Sequence, residues 1–138
     1  MRNVVLDTNC LLRMIPVRSL YRLAWEAFLD GKYVLCVSND IVNEYMEILA
    51  SKVSPLFAEH IVSAILRSPY TRKLDPMFRF GLIVQDPDDN KFVDCAIMAN
   101  ADYIVSEDSH FNVLSDISFP KVSVLSLDSF MQDLQSLI

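Results

Sequence analysis

Two apolar rhythms alternate along the chain. Unbroken runs rich in valine, isoleucine and leucine at residues 3–6, 34–37, 103–105 and 122–125 have the form of strands covered on both faces. Between them apolar residues return at helical spacing. Leu20, Leu23, Ala24, Ala27 and Phe28 make one such face, with Gly31 placed to close the helix. Ile41, Tyr45, Ile48 and Leu49 make a second, just after the capping residues Ser38-Asn39-Asp40. Ala58, Ile61, Val62, Ile65 and Leu66 make a third, with Ser54 as cap and Pro55 at the first helical position. A fourth helix is predicted over 89–101, after the turn Asp86-Pro87-Asp88, and a shorter fifth from Asp128 onward. Residues 70–81, with Pro76 and several basic side chains, predict an irregular connector. Alternation of doubly buried strands with helices predicts a parallel sheet between helical layers, with right-handed crossovers. The expectation is an α/β, three-layer α/β/α sandwich, with residues 1–138 as a single domain.

Composition sharpens this picture mainly by exclusion. Of 138 residues, 52% are hydrophobic and 22% charged, enough apolar matter for a core. The only glycines are Gly31 and Gly81, which excludes a P-loop, a dinucleotide fingerprint and a nucleophile elbow. Cys10, Cys36 and Cys95 lie far apart in apolar runs, the pattern of buried reduced thiols. Two histidines, His60 and His110, do not make a zinc motif. No apolar run approaches the ~20 residues of a membrane span, and the chain opens directly on a strand, so a soluble cytoplasmic protein is expected. Twelve Lys+Arg against 18 Asp+Glu leave a net charge of -6, which argues against diffuse wrapping of nucleic acid. It leaves open a nucleic-acid enzyme whose acids hold metal.

The placement of those acids carries the chemistry. In an open parallel sheet, ligands bind beyond the carboxyl ends of the strands, where strand order reverses. Asp7-Thr8-Asn9 follows the first strand and Ser106-Glu107-Asp108 the third, so Asp7 and Asp108 leave the sheet at that edge. Glu44 borders the apolar stripe of its helix, and Asp94 is the only charge between Phe92 and Ala99. A carboxylate buried alone costs several kcal/mol, on the order of ~2–7 for a polar group and more for an ion, unless something neutralises it. Four acids on one rim call for a cation, and hard oxygen donors suit Mg²⁺ or Mn²⁺, as one or two ions, as in hydrolysis at phosphorus. Each acid also has an ordinary reading: Asp7 as helix cap, Glu44 as a solvated helix residue, Asp94 as partner of a basic side chain, Asp108 as a turn residue. Asp86, Asp88 and Asp89 read as turn and cap acids.

The ordered set Asp7-Thr8-Asn9, Glu44, Asp94 and Ser106-x-Asp108 resembles the PIN-domain family. The segment from Asp86-Pro87-Asp88-Asp89-Asn90 through Asp94 to Ala101-Asp102-Tyr103-Ile104-Val105-Ser106-Glu107-Asp108 looks most like its prokaryotic branch of toxin–antitoxin (VapC-type) proteins. The resemblance spans essentially the whole chain. It implies an α/β/α sandwich with sheet order 3-2-1-4-5 and a Mg²⁺- or Mn²⁺-dependent ribonuclease. Asp7, Glu44, Asp94 and Asp108 match the family's acidic positions, as catalytic and metal-binding residues. Thr8, Asn9 and Ser106 match the polar residues that orient ligands or water beside the metal. Ser106 stands where threonine is commoner, Glu107 replaces a smaller residue, and His110 stands where many relatives carry another acid. His110 is then either a loop histidine, a cause of a weaker second metal site, or itself a ligand of Mn²⁺.

On this resemblance a metal held by Asp7, Asp94 and Asp108 serves phosphodiester hydrolysis, with Glu44 completing the cluster and helping to take a proton from water. Single-stranded or looped RNA is the expected substrate, with Arg13, Arg18, Arg22, Arg72, Lys73 and Arg79 as candidate backbone contacts. A small antitoxin masking the acidic pocket, and a homodimer, are the expected partners. The competing readings are a catalytically silent PIN-fold binding module and an orphan nuclease without antitoxin. A receiver or haloacid-dehalogenase-like fold fits poorly, because Asn9 stands where Asp-x-Asp would need its second acid and no lysine follows Val105.

Overall fold

The computed structural model describes residues 1–137. Five parallel strands form one sheet: β1 (Arg2–Leu6), β2 (Tyr33–Val37), β3 (Thr71–Lys73), β4 (Tyr103–Val105) and β5 (Val124–Leu125), in the order β3-β2-β1-β4-β5. This is the expected 3-2-1-4-5 order, and the reversal falls at β1, between β2 and β4. Val4 pairs with both Leu35 and Tyr103, and Leu6 with Val105, so β1 and β4 end side by side. The central strands are buried along almost their whole length, as their unbroken apolar runs require.

Among the described residues five α-helices lie between the strands and a sixth follows β5: α1 (Thr8–Met14), α2 (Arg22–Leu29), α3 (Asn39–Lys52), α4 (Pro55–Arg67), α5 (Asn90–Ala99) and α6 (Leu127–Leu137). Side-chain alternation on β2 shows how they divide between the faces. The Tyr33 ring meets Phe28 of α2 at 6.1 Å and Phe130 of α6 at 5.2 Å between centroids. Cys36 lies three positions on, hence on the other face, and its thiol is close enough to raise the pKa of Cys95 in α5. Both cysteines and Cys10 are free and buried.

Local chemistry sets the boundaries. Ser38 accepts the Ile41 amide at the start of α3, and Ser54 accepts that of Phe57 at the start of α4, whose first residue is Pro55. Gly31 ends the turn after α2 at φ +75, and any Cβ there would collide with the Tyr70 ring, so the site needs glycine twice over. Three expectations are corrected. Residues 71–73 form the edge strand β3, although Thr71-Arg72-Lys73 has no apolar signal. It pairs only with β2, through Leu35, Cys36 and Val37, and that tertiary pairing makes the strand. Helix α1 starts directly after Asp7, which takes the helix-cap position of its ordinary reading but makes no side-chain cap hydrogen bond. The last strand is confined to Val124–Leu125, and the fourth helix runs from Asn90 after a 3-10 turn at Pro87–Asp89. No helix among the described residues is long and apolar enough to cross a membrane.

Candidate metal centre

The site forms where β1 and β4 end. Asp7 follows β1, and its backbone amide donates to Val105 O at 3.0 Å, binding it to the end of β4. Ser106, the residue just after β4, donates its hydroxyl to Asp7 Oδ2 at 2.8 Å and accepts the Asp108 amide at 3.0 Å. One hydroxyl thus joins both strand-end acids. Asp108 in turn accepts the His110 amide at 2.9 Å, which opens a 3-10 stretch at Ser109–Asp116.

Helix α3 brings the third acid. Tyr45 donates its phenol to Leu6 O at 2.6 Å, inside the core and one residue before Asp7. That bond sets the height of α3 against β1, and the preceding residue, Glu44, reaches the site. Its Oε2 accepts the Thr8 hydroxyl and its Oε1 the ammonium of Lys91 at 2.7 Å.

The turn before α5 supplies two more acids. Asp86, Asp89 and His110 each offer a ligand atom within 4.8 Å of the others, a group able to hold a metal ion. His110 Nδ1 stands 3.4 Å from Asp89, 3.7 Å from Asp86 and 3.3 Å from Asp108. Asp86 also accepts the Asp88 amide, the turn role read from sequence, so a turn acid and a candidate ligand are one residue. Asn90 fastens this turn from within: its side-chain amide donates to Ile83 O and accepts from Ile83 N.

Electrostatics confirm the convergence. Asp7 is only 7% exposed, and burial pushes its pKa up. The Ser106 and Thr8 hydrogen bonds oppose that shift, while the charges of Glu44 and Asp108 add to it. Asp89 is pushed up to about 6 by burial and by the charges of Asp86 and Asp108, against the His110 hydrogen bond. Asp7 and Asp89, held above the ordinary carboxyl range by burial and by neighbouring acids, are in the condition a divalent cation relieves, and oxygen donors with one imidazole are ligands that Mg²⁺ or Mn²⁺ accepts.

Of the residues singled out in the sequence, Asp7, Thr8, Glu44, Ser106 and Asp108 come together here. Asn9 is exposed on the first turn of α1. Asp94 sits elsewhere on its helix. Its Oδ1 accepts the Phe80 amide at 3.1 Å and feels the Arg79 guanidinium, and burial raises its pKa. With Glu44, Lys91 and Arg79 it lines a cavity of about 580 Å³ that flanks the acids. A groove of about 690 Å³ lined by Ser106, Asp108 and Lys121 meets them as well. Glu107 turns away, accepting the Leu127 amide at the start of α6. Sequence reasoning left Asp89 and Asp86 outside the site. A signal was present: in α/β folds a helix entering the sheet layer begins at the edge where other strands end, so acids before α5 belong to that rim.

Comparison with known proteins agrees with this architecture. No curated protein sequence matches the chain. Among solved structures, VapBC2 from Rickettsia felis, bound to a DNA fragment from its promoter, superposes with a TM-score of 0.60 at 15% identity, over 90% of this chain and 98% of that one. VapC20 of Mycobacterium tuberculosis, a Sarcin-Ricin loop cleaving toxin, gives 0.58 at 15% identity, over 87% of this chain and 98% of that one. At such identity the likeness speaks for the fold. The family model described as PIN domain (PIN_3) matches residues 3–110, most of the chain and every residue of the acidic rim, and so this protein belongs to the PIN-domain family.

Proposed function

We propose that this chain is a Mg²⁺- or Mn²⁺-dependent endoribonuclease and the toxin of a toxin–antitoxin pair. The observation that carries the reading is the convergence of Asp7, Asp86, Asp89 and Asp108 with His110 at the sheet's switch point. A divalent ion bound there would polarise a phosphodiester and lower the pKa of a water, the chemistry of metal-assisted hydrolysis. The chain's own residues have distinct tasks. Asp7, Asp108, Asp89, Asp86 and His110 would hold the ion, and Ser106 keeps Asp7 and Asp108 in register through its shared hydroxyl. Thr8 orients Glu44, which borders the flanking cavity, and Asn9 faces solvent at the site's edge. Asp94 braces the 79–83 segment through Phe80. The cavity and groove beside the acids are open enough for an extended strand, in keeping with single-stranded or looped RNA.

Most candidate phosphate contacts have partners within the chain. Arg13 stacks on Tyr21, Arg72 donates to Ala99 O, and Lys73 pairs with Asp75 at 3.6 Å. Substrate is therefore held chiefly through the metal. The fold likeness to the R. felis VapBC2 protein and to VapC20 supports the toxin reading, with a small antitoxin that covers the acids by a basic side chain. A homodimer belongs to this reading, and Leu56 and Leu66 of α4 offer exposed apolar surface for it. The decisive experiment is cleavage of single-stranded RNA by purified protein. Cleavage should require Mn²⁺ or Mg²⁺, stop on chelation, and fall roughly 100-fold or more in Asp7→Asn, the scale for losing a charge-stabilising group. Cleavage that survives both chelation and Asp7→Asn rules the reading out.

A further inference from the structure

Lys91 lies inside the acidic region. Its ammonium stands 2.7 Å from Glu44 Oε1 and 3.1 Å from Asp88 Oδ1, and its side chain is only 14% exposed. The second oxygen of Glu44 accepts the Thr8 hydroxyl, so both oxygens of that carboxylate are engaged. Independently, the donor group able to hold a metal consists of Asp86, Asp89 and His110, without Glu44. An ammonium between two carboxylates occupies the position, and supplies the charge, of a small cation.

We propose that Lys91 is a resident cation at the Glu44–Asp88 end of the site, so that the protein takes up one divalent ion, at the Asp86–Asp89–His110 end, and not two. The inference rests on the metal centre of the proposed nuclease and deepens it. Lys91 acts as a positioning residue: it ties α3 to the 3-10 turn that carries Asp89, and it occupies the Glu44 oxygen that a second ion would need. Its removal opens a second site. Mg²⁺ binds oxygen at about 2.0–2.1 Å, shorter than the ammonium contacts, and Asp88, 75% exposed, is free to close that gap.

The test is Mn²⁺ binding to the full chain without RNA, by calorimetry and by electron paramagnetic resonance, for wild type, Lys91→Arg, Lys91→Ala and Lys91→Gln. Wild type and Lys91→Arg should bind one ion with an isolated Mn²⁺ spectrum. Either neutral variant, folded by circular dichroism, should bind a second ion at least tenfold more weakly, with spin coupling between the two. Two ions in the wild type, or one unchanged site in both folded neutral variants, overturns the proposal. RNA cleavage by the same preparations separates it from the nuclease reading. One ion without cleavage removes that reading and keeps this one; two ions with cleavage do the reverse.

Discussion

Asp89 and Asp94 stand five positions apart and have different fates. At about 100° per residue they point about 140° apart around the helix axis, and about 7.5 Å apart along it. Asp89, at the helix start, feels the charges of Asp86 and Asp108, while Asp94 lines the flanking cavity with Glu44. The environment of Asp89 makes a measurable demand. The Asp89 carboxyl sits at about 6 against an ordinary value of 3.8, because burial and the charges of Asp86 and Asp108 oppose its ionisation. Between those two pH values the metal-free folded chain binds more protons than the unfolded one, so its stability falls as pH rises from about 4 through 6. Asp7 is shifted upward too and adds to the same trend. Thermal denaturation in chelator should show this decline, and Asp89→Asn should flatten it. Saturating Mn²⁺ should stabilise more at pH 7 than at pH 5, where protons compete for the same oxygens. A metal-free melting temperature that climbs steadily from pH 4 to 7 would contradict this account of the cluster.

At the scale of elements, the site depends on how α3 and α5 are seated against the sheet. Tyr45 is fully buried and its phenol is the bolt between α3 and the end of β1. Tyr45→Phe keeps the ring but leaves the Leu6 carbonyl without that donor, for a cost of about 1–3 kcal/mol. Urea denaturation should report that loss, and metal affinity should fall with it, since Glu44 and Asp7 lose their common reference. A variant as stable as the wild type, with unchanged metal binding, would show that packing alone seats α3. Much of this level is legible in the sequence. Ser38, and Ser54 with Pro55, cap their helices because capping is local chemistry between neighbours in the chain. The edge strand β3 is not legible, because Thr71-Arg72-Lys73 becomes a strand only by pairing with β2. Nor is the engagement of Glu44 by Lys91, since those residues lie 47 positions apart.

For the molecule as a whole, the charge of -6 has a specific meaning. Part of the acidic excess is gathered at one edge of the sheet, a charge that a divalent ion could offset. The toxin reading follows through to the cell. Expression of the chain should arrest growth, Asp7→Asn should not, and the adjacent reading frame should relieve the arrest. Harmless expression of an active nuclease would remove the toxin role and leave the enzyme. The order of apolar runs by itself determined the α/β class, the two-sided burial of the central strands and the presence of Asp7 and Asp108 at their ends, because strand burial and helix periodicity are written in neighbouring residues. Which acids converge waited for the tertiary structure. Whether Asp89 or Asp94 meets Asp7, which way Glu107 turns and what holds Glu44 all depend on the rotation and height of α3 and α5 against the sheet. Packing between residues far apart in the chain sets those two quantities, and no local pattern encodes them.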